Sequence, residues 1–233
     1  MTSYLGPLVL AAFVCSAVSA AELPSLWPRG TYALPMAETG CPNTHYYWKT
    51  GRRYQDTQDL LPNNQWSNPL HLKGSRSLTH VEQNFCVKTD YDMAGDSSVE
   101  WGPGQYCIFK KGKTCPDRFS EGWIKWDDQT LFNRNDKSGE LPEGVYDDNT
   151  LIYFCCREDG DEGAPLSLPV DEPFFLLRKN GECQSVDRMT ILEEWFRWDG
   201  EDDLIDLNKY RDGSVPDLDS TGDDHKLMYC YYY

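Results

Sequence analysis

Two stretches of this chain, WPRGTYALPMAETGCP (Trp27–Pro42) and WGPGQYCIFKKGKTCP (Trp101–Pro116), place a tryptophan, a glycine, a tyrosine and a Cys-Pro at identical intervals. A repeat that keeps these residues and changes the rest preserves geometry. Glycine admits a turn with positive φ, the tyrosine ring gives a flat packing surface, and the cysteine staples the end. A weaker third copy is read in LPEGVYDDNTLIYFCC, where Gly144, Tyr146 and Cys155 keep the same offsets. Two further stretches echo each other, WDDQTLFNRNDKSGELP (Trp126–Pro142) and WDGEDDLIDLNKYRDGSVP (Trp198–Pro216), both closing G-x-x-P. Aromatic-Cys pairs close three segments: Phe85-Cys86, Phe154-Cys155 and Tyr229-Cys230. The sequence thus predicts a strand-turn unit used more than once.

Cysteine use sets the compartment. Residues 1–20, MTSYLGPLVLAAFVCSAVSA, carry no charge and end in small residues, the pattern of a secretory signal cut after Ala20 or Ala21. Residues 21–233 are then one exported domain. Nine cysteines occur, and with Cys15 in the leader eight remain: Cys41, Cys86, Cys107, Cys115, Cys155, Cys156, Cys183 and Cys230. An even set in an exported chain reads as disulfides, with on the order of a hundred pairings open. No C-x2-C or close Cys/His spacing calls for zinc. Adjacent Cys155 and Cys156 point to opposite faces of a strand and should take different partners.

Short runs rich in β-branched and aromatic residues, GQYCIFKK, TLIYFCCR, PFFLLRK and KLMYCYYY, are bounded by turn residues and read as strands. MTILEEWFRW (Met189–Trp198) reads instead as a short amphipathic helix with Ile191, Leu192, Trp195 and Phe196 on one face. The expected fold is mainly β: a single compact, disulfide-rich domain with a short helical segment and an internal pseudo-repeat.

The net charge of −16 is spread along the chain, which disfavours nucleic acid and anionic lipid as partners. No apolar run beyond the leader is long enough to span a bilayer, so no membrane insertion is expected. WIKWDDQTLFNRN concentrates rings and hydrogen-bonding side chains suited to a sugar, and it supplies the candidate ligand residues Trp123, Trp126, Asp127, Asp128, Asn133 and Asn135. The competing reading puts these tryptophans in the core and the polar residues in turns. DLDSTGDD begins like a calcium loop at Asp217, Asp219, Thr221 and Gly222, but the closing position falls on Met228, which has no carboxylate. A solvated acidic loop is the expectation, with no metal and no cofactor. His45, His71, His80 and His225 sit in no H-E-x-x-H setting, no G-x-S-x-G occurs, and the even cysteine count leaves no spare thiol. The chain is expected not to be an enzyme.

Several longer stretches together carry a family resemblance: GQYCIFKKGKTCP, FSEGWIKWDDQTLFNRN, GELPEGVYDDNTLIYFCCREDG, LSLPVDEPFFLL, CQSVDRM and EWFRWD, with the eight cysteines in this order. From Trp27 to the final YCYYY the chain resembles the apextrin C-terminal domain, ApeC, of apextrins and apextrin-like proteins of marine invertebrates. Apextrin joins this domain to an N-terminal pore-forming-type domain for which this chain has no room, so perforation is not carried over. The resemblance implies a secreted innate-immune pattern-recognition protein that binds bacterial peptidoglycan or its muramyl dipeptide fragment and agglutinates bacteria. A role in extracellular matrix or cell adhesion is the alternative it implies. No ligand-contact residue transfers by position, and the oligomeric state stays open.

Overall fold

A computed structural model describes residues 26–42, 47–57, 63–89, 99–129, 132–200, 211–221 and 224–233. The signal-peptide reading falls outside these residues. Among them there are fourteen strands and no helix, and every pairing between named strands is antiparallel.

The ladder registers resolve this network into three equivalent units. The first holds β1 (Tyr32–Pro35), β2 (Lys49–Asp56), β3 (Gln65–Trp66) and β4 (His80–Lys88). The second holds β5 (Gln105–Lys110), β6 (Ser120–Trp126), β7 (Asp136–Gly139), β8 (Gly144–Tyr146) and β9 (Thr150–Glu158). The third holds β10 (Phe174–Arg178), β11 (Ile191–Trp198), β12 (Arg211–Gly213), β13 (Leu218–Thr221) and β14 (Asp224–Tyr232). In each unit a leading strand pairs with a returning strand that carries the aromatic-Cys pair: Leu34 faces Cys86, Ile108 faces Cys155 and Leu176 faces Cys230. A middle strand covers the other edge, with Thr50, Glu121 and Glu193 facing the same three cysteines. From Leu34, Ile108 and Leu176 the chain runs an identical interval to Cys41, Cys115 and Cys183, and these bond to Cys86, Cys155 and Cys230.

The short edge strands interlock the units cyclically. β7 of the second unit pairs with β2 of the first, β12 of the third with β6 of the second, and β3 of the first with β11 of the third. The leading strands meet at the centre, Tyr32 facing Lys110 and Tyr106 facing Arg178. β1 and β10 lie alongside each other to close the set. Pro35, at the place of Phe109 and Leu177 in β5 and β10, has no N–H to give to a ladder there.

The leading strands are buried on both faces, which explains their unbroken apolar runs. Tyr32, Leu34, Tyr106, Ile108, Phe174 and Leu176 enter one core with Cys86, Cys155 and Cys230. Ala33, Cys107, Phe109, Phe175 and Leu177 enter a second core with Phe85, Phe154 and Tyr229. Each large apolar side chain so buried contributes about 1.5–3 kcal/mol. The tyrosine of the repeat closes the turn before its strand. Its buried hydroxyl donates to a carbonyl four residues back, Tyr32 to Pro28 at 2.8 Å and Tyr106 to Gly102 at 2.7 Å.

Two expectations are corrected. Met189–Trp198 forms no helix; Ile191–Trp198 is β11, paired along its whole length with β14. Its inward residues include Glu194 and Phe196, and the buried carboxylate breaks the apolar alternation that marks a strand. The third copy of the repeat also lies elsewhere. Tyr146 does donate to Pro142 O (3.2 Å), but Cys155 is the returning-strand cysteine of the second unit. The third copy begins instead at Phe174, opening the third unit, and runs to Cys183, with no glycine-tyrosine pair to announce it. Cys155 and Cys156 do take different partners, Cys115 and Cys107.

Candidate functional site

Alternation along β6 sends Ile124 and Trp126 into the core and leaves Glu121, Trp123 and Lys125 on the outer face. On β9 the residue opposite Trp123 is Tyr153, half-buried on that same face, and Leu151 lies opposite Lys125. β8 adds Val145, exposed and facing Leu151. The outer face of the second unit is thus a short amphipathic field of rings, aliphatic side chains and charges.

At its end lies an open pocket of about 380 Å³, lined by Lys110, Gly112, Lys113, Glu121, Glu143 and Tyr153. Lys110 ends β5 with its stem buried. Its ammonium lies 2.5 Å from Glu121 Oε2 and 5.2 Å from the centre of the Tyr153 ring. A cation held against a ring face and a carboxylate is partly neutralised and still has N–H groups to offer. The turn after β5 is tied down by the Cys115–Cys155 bridge and by Thr31, whose hydroxyl donates to Lys111 O at 2.6 Å. Lys111 Nζ donates to Leu141 O at 2.7 Å. The chemistry available is stacking on an aromatic floor, a cation for an acidic group, and carboxylates for hydroxyl, amide or amine donors.

Of the sequence-derived candidates, Trp123 stands on this face. Trp126 lies in the core against Trp198 and His225. Asp127 is buried. Asp128 is only 1 % exposed and organises a polar network between the first and second units. Its Oδ1 accepts from Gln55 Nε2 (3.0 Å), and its Oδ2 from Thr150 Oγ1 (2.6 Å), Asn135 Nδ2 (2.9 Å) and Arg53 Nη2 (3.3 Å). Burial pushes its pKa up to about 6, against the pull of those donors. Asn135 also accepts from Asp56 N and donates to Asp147 O and Asp148 O, and Asn133 donates to Gln129 O and Asp148 O. These amides strap the loop that follows β6. Sequence alone does not single out Lys110, Glu121 and Tyr153, because only the β5–β9–β6 register brings them together.

Asp217 is engaged with Arg178 and with the turn after β10, Asp219 lies exposed on β13, and Gly222 lies outside the described residues. Among the described residues no group of three or more His, Cys, Asp or Glu side chains is placed to hold a metal ion. Nor, among them, is any helix long and apolar enough to cross a membrane. Four disulfides belong to an oxidising environment.

Fold and site together define an all-β, disulfide-stapled domain of three interlocked units, with an amphipathic pocket on the outer face of the second. The family model for the C-terminal domain of apextrin, ApeC, matches residues 27–232, nearly the whole chain, and the chain belongs to that family. Comparison with curated proteins and with solved structures yields no match.

Proposed function

We propose that this protein is a secreted pattern-recognition protein of innate immunity that binds bacterial peptidoglycan, or its muramyl dipeptide fragment, on the outer face of the second unit. It acts by adhesion, without covalent chemistry, and bound in several copies it agglutinates bacteria. ApeC membership and the four disulfides support the setting. The observation that carries the assignment of the face is the pocket at Lys110, where a ring, an ammonium and two carboxylates meet in one open concavity. A glycopeptide presents a sugar C–H face, amides and an acidic group, and this set of side chains answers each of them.

The test is sedimentation with insoluble peptidoglycan, chitin and cellulose, using wild type and Tyr153→Ala. Wild type should pellet with peptidoglycan and the variant should stay in solution. Retention on host extracellular matrix alone, with none of the three polymers bound, would overturn the proposal.

A further inference from the structure

The threefold relationship lets one unit serve as a template for another. In the third unit Arg178 ends β10 as Lys110 ends β5, and Lys179, Asn180 and Gly181 follow it as Lys111, Gly112 and Lys113 follow Lys110. The correspondence holds in atomic detail. Lys179 Nζ donates to Val215 O at 2.8 Å, as Lys111 Nζ donates to Leu141 O at 2.7 Å. Asp217 N donates to Arg178 O at 2.9 Å, as Glu143 N donates to Lys110 O at 2.8 Å. Arg178 meets Glu193 at 2.7 Å, as Lys110 meets Glu121 at 2.5 Å. Asn180 and Gly112 share left-handed backbone, with φ of 60° and 83°.

In the third unit this arrangement grips a carboxylate. Asp217 Oδ1 accepts from Asn180 N at 2.8 Å; Oδ2 accepts from Gly181 N at 2.7 Å and from Arg178 Nε at 2.8 Å. Two backbone N–H groups and one cation converge on a single acid.

In the second unit the residues that carry the matching donors, Gly112, Lys113 and Lys110, line the open pocket. No acceptor among the described residues bonds either backbone N–H. Glu143 occupies Asp217's place but is one methylene longer, and its carboxylate bonds none of the three. The first unit has Met36 at the cation's position and Lys73 at Asp217's, so it repeats neither half of the arrangement. We infer that the Gly112 and Lys113 N–H groups and the Lys110 ammonium form a carboxylate-specific subsite, which takes a free acid of the ligand in the pose that Asp217 holds within the third unit. The inference rests on reading this face as the ligand site, and it names the acidic group of the glycopeptide as the anchor. Charge-assisted hydrogen bonds of this kind are the strong ones, and they discriminate an acid from its amide.

The probe is N-acetylglycine, with N-acetylglycinamide as the uncharged control, titrated into the ¹⁵N-labelled full-length protein and followed by amide chemical shifts. The acid should move the Gly112 and Lys113 resonances and the amide should not. Lys110→Met, which keeps an aliphatic stem over Tyr153, should weaken the acid about tenfold or more. Glu143→Asp restores the template's side-chain length, should place its own carboxylate in the subsite, and should weaken the acid to a similar degree. The spectra themselves report that each variant is folded. Unmoved Gly112 and Lys113 resonances, or equal responses to acid and amide, would overturn the inference whatever the peptidoglycan result. Acid-selective shifts in a protein that does not sediment with peptidoglycan would keep the subsite and discard the proposed ligand.

Discussion

Cys107 lies directly across the β5–β9 ladder from Cys156 and is bonded to it, at the place that Ala33 and Val87 hold in the first unit and Phe175 and Tyr231 hold in the third. Three bridges are therefore parts of the repeat, and this fourth one is particular to the second unit. The Cys107→Ala, Cys156→Val pair copies a combination already buried in the first unit. It should cost about 2–4 kcal/mol in chemical denaturation and leave peptidoglycan binding intact. Replacing Cys115 and Cys155 by alanine should cost a similar amount but also release the turn that carries Gly112 and Lys113, so binding should fall with it.

Gly122 pairs with Gly213 where β6 meets β12, as Gly51 pairs with Gly139 where β2 meets β7. A Cβ on Gly122 would stand 2.2 Å from Ser214 O, a backbone atom with nowhere to go. Gly122→Ala should therefore separate the second and third units and destabilise the protein by about 3 kcal/mol or more, seen as a lowered melting temperature.

The Arg53–Asp128 pair is buried at both ends. Removing one partner strands the other charge away from water, so Asp128→Ala should cost about 3–5 kcal/mol. Asp128→Asn should also be destabilising, because one amide oxygen replaces two carboxylate oxygens that accept from four side chains.

His225 is buried beside Trp126, and its Nε2–H donates to Lys125 O at 3.0 Å. Burial lowers its pKa below the ordinary 6.5, so the folded state favours the neutral ring. Stability from this group is present above pH 6.5, where the unfolded ring is also neutral, and is lost as pH falls through the lower folded value. Urea midpoints for wild type and His225→Asn should diverge above pH 6.5 and converge progressively below it.

Much of this architecture can be read in the chain. Gly30-Tyr32 and Gly104-Tyr106 mark two leading strands, the aromatic-Cys pairs mark all three returning strands, and the G-x-x-P echoes mark β7 and β12. PFFLLRK reads as a strand, but its place as the third copy of the leading strand is hidden because Phe174 replaces tyrosine, and its unit uses Tyr232 instead, which donates to Gln184 O at 2.6 Å. Tyr146 imitates the motif because it solves the same local problem, a buried hydroxyl near a preceding carbonyl. β11 reads as a helix because Glu194, a carboxylate bonded to His71 N at 2.8 Å, occupies an inward position. The stretch after Trp123 is legible as special, but its spacing does not separate loop straps from ligand contacts. That distinction depends on cross-strand register, which also assembles Lys110, Glu121 and Tyr153 from three separate strands.

The central claim is that ligand contact belongs to the outer face of the second unit. Amide hydrogen exchange, read by mass spectrometry with and without muramyl dipeptide, tests it directly. Slowed exchange should be confined to residues 110–115, β6 and β9, with the matching segments of the first and third units unchanged. Protection spread evenly over all three units, or centred on β2 or β11, would contradict the account.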